Sequence, residues 1–224
     1  MQAAPSAVLI TASGGTWNIL DPNPADVRLE DIVIGMARTC RFGGQFGWGS
    51  AFYSVAEHAM LMTIAGLDAG VLKTRNHALA TLLHDASEGY LGDMPTPLKR
   101  QIPAYAALER RSQGAILAAF GLPQTSPPAI KDLDRRIVLD EWDHLIGSSA
   151  ARPATTATVP LGVQPLCLSP QDAFGAFIDA FDFCQDLPRS PMATPPDWPT
   201  SLAPIVDAVL TRPTVTADAP SLAL

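Results

Sequence analysis

The sequence predicts an all-α fold, and three observations carry that expectation. Strand-like alternation of apolar and polar residues is nearly absent along the 224 residues. Six stretches read as helices, several with apolar residues at three- and four-residue spacing. Glycine or proline punctuates most of their ends, where a helix is expected to stop.

Residues 1–30 are rich in Gly, Pro, Asn and Thr and read as an irregular or short-stranded lead-in. A first helix is expected from Leu29 to about Thr39, ending before a loop with Gly43, Gly44, Gly47 and Gly49. A second starts at Ser54, which with Glu57 has capping-box spacing: Ser caps the first turn and Glu reaches back to the Ser amide. Val55, Met60, Leu61 and Ile64 follow, and Gly66 ends it. A third helix is expected from about Ala69 to Leu91, stopped by Gly92, with Pro95 and Pro97 forbidding continuation. A fourth covers Ala104 to Phe120. A fifth begins near Pro127 or Pro128, which suit a first helical turn, and runs to about Ile146. A sixth spans Pro170 to Leu187.

A single helical domain over residues 1–187 is expected, followed by a proline-rich extension over 188–224 whose default state is a flexible tail. Many of the 21 prolines fall between Pro153 and Pro170 or after Pro188, marking a linker and that tail. Net charge is −7, which argues against a surface for nucleic-acid polymers but leaves room for a small anionic substrate beside a bound cation. Cys40, Cys167 and Cys184 lack both C-x-x-C spacing and an even count, so reduced thiols and a cytoplasmic setting are expected. The first twenty residues carry no charge, unlike a signal peptide, and no apolar run is long enough to span a bilayer.

The candidate chemistry lies in five residues. His84 and Asp85 are adjacent in the third expected helix, about 100° apart, so both can reach one ion between them. Glu88 follows four and three residues later on the same face. Taken alone, this is a helix with a solvated polar face. His58 sits one turn into the second helix, where a partly buried structural histidine is the plainer reading. Asp134 is more informative. It interrupts the apolar set Ile130, Leu133, Ile137, Val138 and Leu145, and a carboxylate there must be paired, hydrogen-bonded or coordinated. Imidazoles with carboxylates suit a divalent Zn, Mn, Fe, Co or Mg ion, which would polarise a phosphoryl oxygen and acidify bound water. His77 is two turns from His84, on the order of 10 Å, too far to share the ion. His144 reads as structural or exposed.

His58, His84-Asp85 and Asp134, in this order, resemble the HD-domain superfamily of metal-dependent phosphohydrolases. The strings Tyr53-Ser-Val-Ala-Glu-His58, Leu82-Leu-His-Asp-Ala-Ser-Glu-Gly-Tyr-Leu-Gly-Asp-Met-Pro-Thr-Pro-Leu-Lys99 and Ile130-Lys-Asp-Leu-Asp134 look like its branch of bacterial 5′-deoxynucleotidases and phage dATP triphosphohydrolases. The resemblance runs over roughly residues 16 to 187. It implies a compact HD-type helical bundle with His58, His84, Asp85 and Asp134 as metal ligands. It also implies that Glu88 positions or activates the attacking water, with Asp93 assisting or holding a second ion. Arg41 and Phe42 would contact sugar, phosphate or base, and Lys99 would be available to a phosphate; plain surface charge is the alternative for Arg41 and Lys99. Gln45 stands where relatives often have His, which puts substrate contacts rather than the ligand set in question.

The expected activity is metal-dependent hydrolysis of a deoxynucleoside 5′-monophosphate. A deoxynucleoside triphosphate triphosphohydrolase is the alternative, and a non-catalytic nucleotide or metal sensor is a second. A metal-free structural domain is a third. A homo-oligomer is implied by resemblance only.

Overall fold

Glycine, proline and side-chain caps divide the chain into helices around one buried centre. The computed structural model describes residues 7–47, 52–125, 127–147, 157 and 159–210. Among them a short antiparallel hairpin, β1 (Val8–Ile10) and β2 (Thr16–Asn18), precedes α1 (Leu29–Arg38), α2 (Val55–Asp68), α3 (Arg75–Leu82), α4 (Glu88–Leu91), α5 (Thr96–Lys99), α6 (Pro103–Ala119), α7 (Pro128–Glu141), α8 (Pro170–Asp186) and α9 (Ala203–Leu210). The fold is all-α, and none of the described helices is long and apolar enough to cross a membrane. Gly49, most of the 153–170 linker stretch before Val159, and the tail beyond Leu210 lie outside the described residues.

α2 is the centre. Val55 through Leu67 are all buried, as expected of a helix apolar on every side, and α1, α3, α7, α8 and α9 surround it. Its start is capped by Ser54, whose hydroxyl accepts the Glu57 amide at 3.1 Å. The reciprocal half of the expected capping box is not formed. The Glu57 carboxylate instead accepts the amides of Leu166, Cys167 and Leu168 at 2.6, 3.0 and 2.8 Å, pinning the segment before α8 onto α2.

Two further expectations change. The single helix expected from Ala69 to Leu91 is broken. Gly70, at φ +65°, ends α2, and Thr74 caps α3 by accepting the His77 amide at 3.2 Å. The chain from 83 to 87 then tightens into turns, with His84 N donating to Thr81 O and Glu88 N to Asp85 O. The segment after Pro188 is not a free tail as far as Leu210, because Leu202, Val206 and Val209 are buried in the same core as α2. The helical body therefore continues past the expected boundary at 187.

Close backbone contact joins α1 to α4. A Cβ on Gly35 would lie 1.9 Å from the Gly89 carbonyl oxygen, and one on Gly89 would lie 2.5 Å from that of Ile32. Only glycine permits this approach, and it fixes where Glu88 begins α4.

The hairpin is held by Trp17, fully buried and stacked on Tyr90 at 4.5 Å, and by Asp31 in the first turn of α1. Asp31 accepts the Ser13 amide at 2.7 Å and the Ser13 hydroxyl at 2.8 Å. Burial pushes its carboxyl up, but the bonds from Ser13 and Thr11 and the nearby Arg28 charge outweigh this and leave it below the usual range. A carboxyl lowered on folding stabilises above the unfolded value near 3.9 and loses that contribution as pH falls through the lower folded value. Asp31→Ala should cost about 2 kcal/mol at pH 7. The difference in urea midpoint from the native chain should shrink toward pH 3; a pH-independent difference would mean that the charged bonds do not hold the hairpin.

Candidate metal centre

Three segments bring the expected ligands together. His58 lies in the first turn of α2 and is fully buried. His84 and Asp85 stand in the turns between α3 and α4, and Asp134 is on α7, its side chain 44% exposed. His58 Nε2 lies 3.3 Å from His84 Nε2, 3.8 Å from Asp85 Oδ2 and 3.5 Å from Asp134 Oδ1. His84 Nε2 lies 3.0 Å from Asp85 Oδ2 and 4.0 Å from Asp134 Oδ1. Donors about 2.1 Å from one ion lie about 3.0 Å apart at right angles and about 3.4 Å apart at a tetrahedral angle. The 3.0, 3.3 and 3.5 Å separations match those values, the 3.8 and 4.0 Å ones are wider, and His58, His84 and Asp134 form a group that could hold a metal ion.

The tautomers sharpen the fit. His84 Nδ1 lies 2.8 Å from the Thr81 carbonyl, an acceptor only, so Nδ1–H donates and Nε2 carries the lone pair. His58 Nδ1 lies 2.5 Å from the Glu141 carboxylate and donates in the same way. Two lone pairs then face each other across 3.3 Å, flanked by two carboxylate oxygens. Such a group of acceptors needs a cation among them, either a proton or a metal ion. The proton solution appears in His58: burial and Arg41 favour its neutral form, yet Glu141 and Asp134 raise its pKa to about 9. Burial would also raise Asp85 and Asp134, but the imidazoles bring both below the ordinary carboxylate range, with Arg41 adding to the effect on Asp85.

Glu88, at the start of α4, is buried, and its Oε2 has no partner. Burial first, then the charges of Asp85 and Asp93, push its carboxyl well above the usual range. Lys99 Nζ lies 3.7 Å from Glu88 Oε1 and 2.5 Å from Glu109 Oε1. Asp93 is half-buried and near enough to act on Glu88 and Arg41 electrostatically.

Arg41 is buried rather than on the surface. Its guanidinium reaches Asp85 at 3.7 Å and Glu141 at 3.4 Å. Phe42 has a left-handed backbone, φ +55°, unusual for a residue with a Cβ. That turn sets its ring edge-on to Phe46 at 6.1 Å and to Trp142 at 6.4 Å. His77 and His144 are not in the ligand group; His144 Nδ1 lies 2.8 Å from the Asp140 carbonyl one turn back.

Glu141 is the site residue that the sequence reading passed over. It ends α7 with no exposed side-chain surface and takes bonds from His58, Tyr53 (2.9 Å) and Arg41. Burial pushes its carboxyl up, but His58, Arg41 and Tyr53 bring it below the usual range. The signal was present: Glu141 falls four residues after Ile137 and eight after Leu133, so it interrupts the same apolar stripe as Asp134.

No family model matches the chain. It is 32% identical over 176 residues to an Escherichia coli K12 protein, YfdR, covering 74% of this chain and 88% of YfdR. It is 42% identical over 120 residues to a Rhodobacter capsulatus protein, covering 53% of this chain and 61% of that one. Both relatives are described as uncharacterized, so neither brings an activity with it. With YfdR matched at that identity over nearly its whole length, the chain belongs to the YfdR family.

Proposed function

We propose that the chain is a metal-dependent phosphohydrolase of the HD-domain class that acts on a deoxynucleotide, with a 5′-monophosphate as the leading substrate. The observation that carries this reading is the pair of imidazole Nε2 atoms facing each other at 3.3 Å, each with its Nδ1 committed as a donor, between two carboxylates. His58, His84, Asp85 and Asp134 would hold the ion. When bound, it would supply positive charge to a phosphoryl oxygen and acidity to a water.

The remaining roles belong to the side chains. Glu88 accepts a proton from the attacking water; a carboxyl held above the ordinary range is the stronger base for that purpose. Lys99 offers a positive charge beside Glu88 where a phosphate would otherwise meet a carboxylate. Asp93 adds to the negative field that keeps Glu88 basic. Arg41 holds Asp85 and Glu141 from the buried side, and the Phe42 ring offers an apolar surface for a sugar or base.

A turnover panel tests the proposal. Deoxynucleoside mono- and triphosphates are offered with Co²⁺, Mn²⁺, Zn²⁺ or Mg²⁺, and each phosphate product is identified. Inorganic phosphate from a monophosphate is the expected result. Tripolyphosphate from a triphosphate would keep the hydrolase and change its substrate. No turnover with any ion would remove the reading.

A further inference from the structure

We propose that Glu141 is the positioning residue of this metal centre, setting the direction in which His58 offers its ligand atom and tying Arg41 to the same frame. The inference rests on the metal-centre reading above and adds a residue that touches no substrate.

Glu141 is fully buried at the end of α7, seven residues after Asp134. A carboxylate there must be compensated, and its neighbours do this in one particular way. Oε1 accepts His58 Nδ1–H at 2.5 Å and the Tyr53 hydroxyl at 2.9 Å, and Oε2 faces the Arg41 guanidinium at 3.4 Å. A carboxylate oxygen 2.5 Å from Nδ1 can only accept, so Nδ1 carries the hydrogen and the His58 lone pair is confined to Nε2, the atom that faces His84 and Asp134. Arg41 in turn reaches Asp85 Oδ2 at 3.7 Å, so one carboxylate steadies two of the four ligands from outside the ligand set. A carboxylate behind a ligating imidazole fixes ring orientation and makes the imidazole a better donor. Tyr53 is fully buried and adds a neutral donor, which anchors Glu141 without competing for the ion.

The test is ion affinity, read without turnover. The full-length protein is stripped with chelator and titrated with Co²⁺, following both the visible absorption of the bound ion and its stoichiometry. The native chain is expected to take up about one equivalent with N/O-ligand bands. If it takes up none, the metal-centre reading fails and the role of Glu141 falls with it, a result distinct from any variant effect. Given native binding, a folded Glu141→Gln should bind Co²⁺ roughly 10- to 100-fold more weakly, with altered bands, and Glu141→Asp should recover part of the affinity. A folded Glu141→Gln with native affinity and bands would overturn the proposal, since a merely structural carboxylate would change stability alone. Should Glu141→Gln not fold, Glu141→Asp and Tyr53→Phe decide: a loss of affinity in either supports the proposal, and native affinity in both overturns it.

Discussion

His84→Ala or Asp85→Ala is expected to remove the ion and the turnover together, while Glu88→Ala keeps the ion and loses turnover by about 10²- to 10⁴-fold. The contrast follows from position. His84 Nε2 and Asp85 Oδ2 lie 3.0 Å apart and face the His58 ring, so removing either takes a donor out of the proposed set of four. Loss of Asp85 also leaves the buried Arg41 with Glu141 as its one remaining ion-pair partner among the described residues, which should lower stability as well. Glu88 lies outside the group of His58, His84 and Asp134, and its Oε2 is buried without a hydrogen-bond partner. Metal content per chain, measured after purification without chelator, separates the two classes of variant, and turnover on the best nucleotide of the panel gives the second axis. If Glu88→Ala lost the ion, Glu88 would be a ligand. If it kept near-native turnover, the proton would go elsewhere, with Asp93 the next carboxylate to replace.

The candidate ligand residues are legible because their chemistry is written in residue type and order. The geometry that makes them a site is not. His84, Asp85 and Glu88 were placed on one face of a continuous helix, but the chain breaks into tight turns between α3 and α4. Thr74 restarts the helix after Gly70, the turns at 83–87 then separate α3 from α4, and a hydrophobic pattern reading cannot tell either interruption from continuation. Ser54 and Glu57 show the same limit. Their spacing locates the start of α2, but Glu57 is drawn away to three amides more than a hundred residues along the chain. Local sequence holds no record of that partner. Burial was also distributed unexpectedly: Asp134, singled out for interrupting an apolar stripe, is 44% exposed, while Glu141 in the same stripe is fully enclosed. The proline-rich stretch after Pro188 read as a tail because proline breaks helices, yet Leu202, Val206 and Val209 supply enough apolar surface to dock it.

Gly35→Ala is expected to cost about 3 kcal/mol or more and to carry activity down with stability. The added methyl would meet the Gly89 carbonyl oxygen at 1.9 Å, its carbon at 2.6 Å and its Cα at 2.8 Å. All three are backbone atoms, so no rotamer change can relieve the overlap and α1 must move away from α4. Glu88 is the first residue of α4, directly before Gly89, so the displacement passes straight to the proposed base. Retreat of α1 also loosens Met36 and Ile32, both fully buried, and the turn carrying Arg41 just beyond the helix. Gly175→Ala is the control. It lies within α8, where an added methyl meets nothing within 4 Å, so removing glycine's backbone freedom should stabilise by about 0.5–1 kcal/mol. Urea unfolding at 25 °C reads both variants against the native chain. Opposite shifts in midpoint would establish the α1–α4 contact as the reason for Gly35. Equal shifts, or a native midpoint for Gly35→Ala, would mean that α1 and α4 do not approach through their backbones, and the placement of Glu88 would need another support.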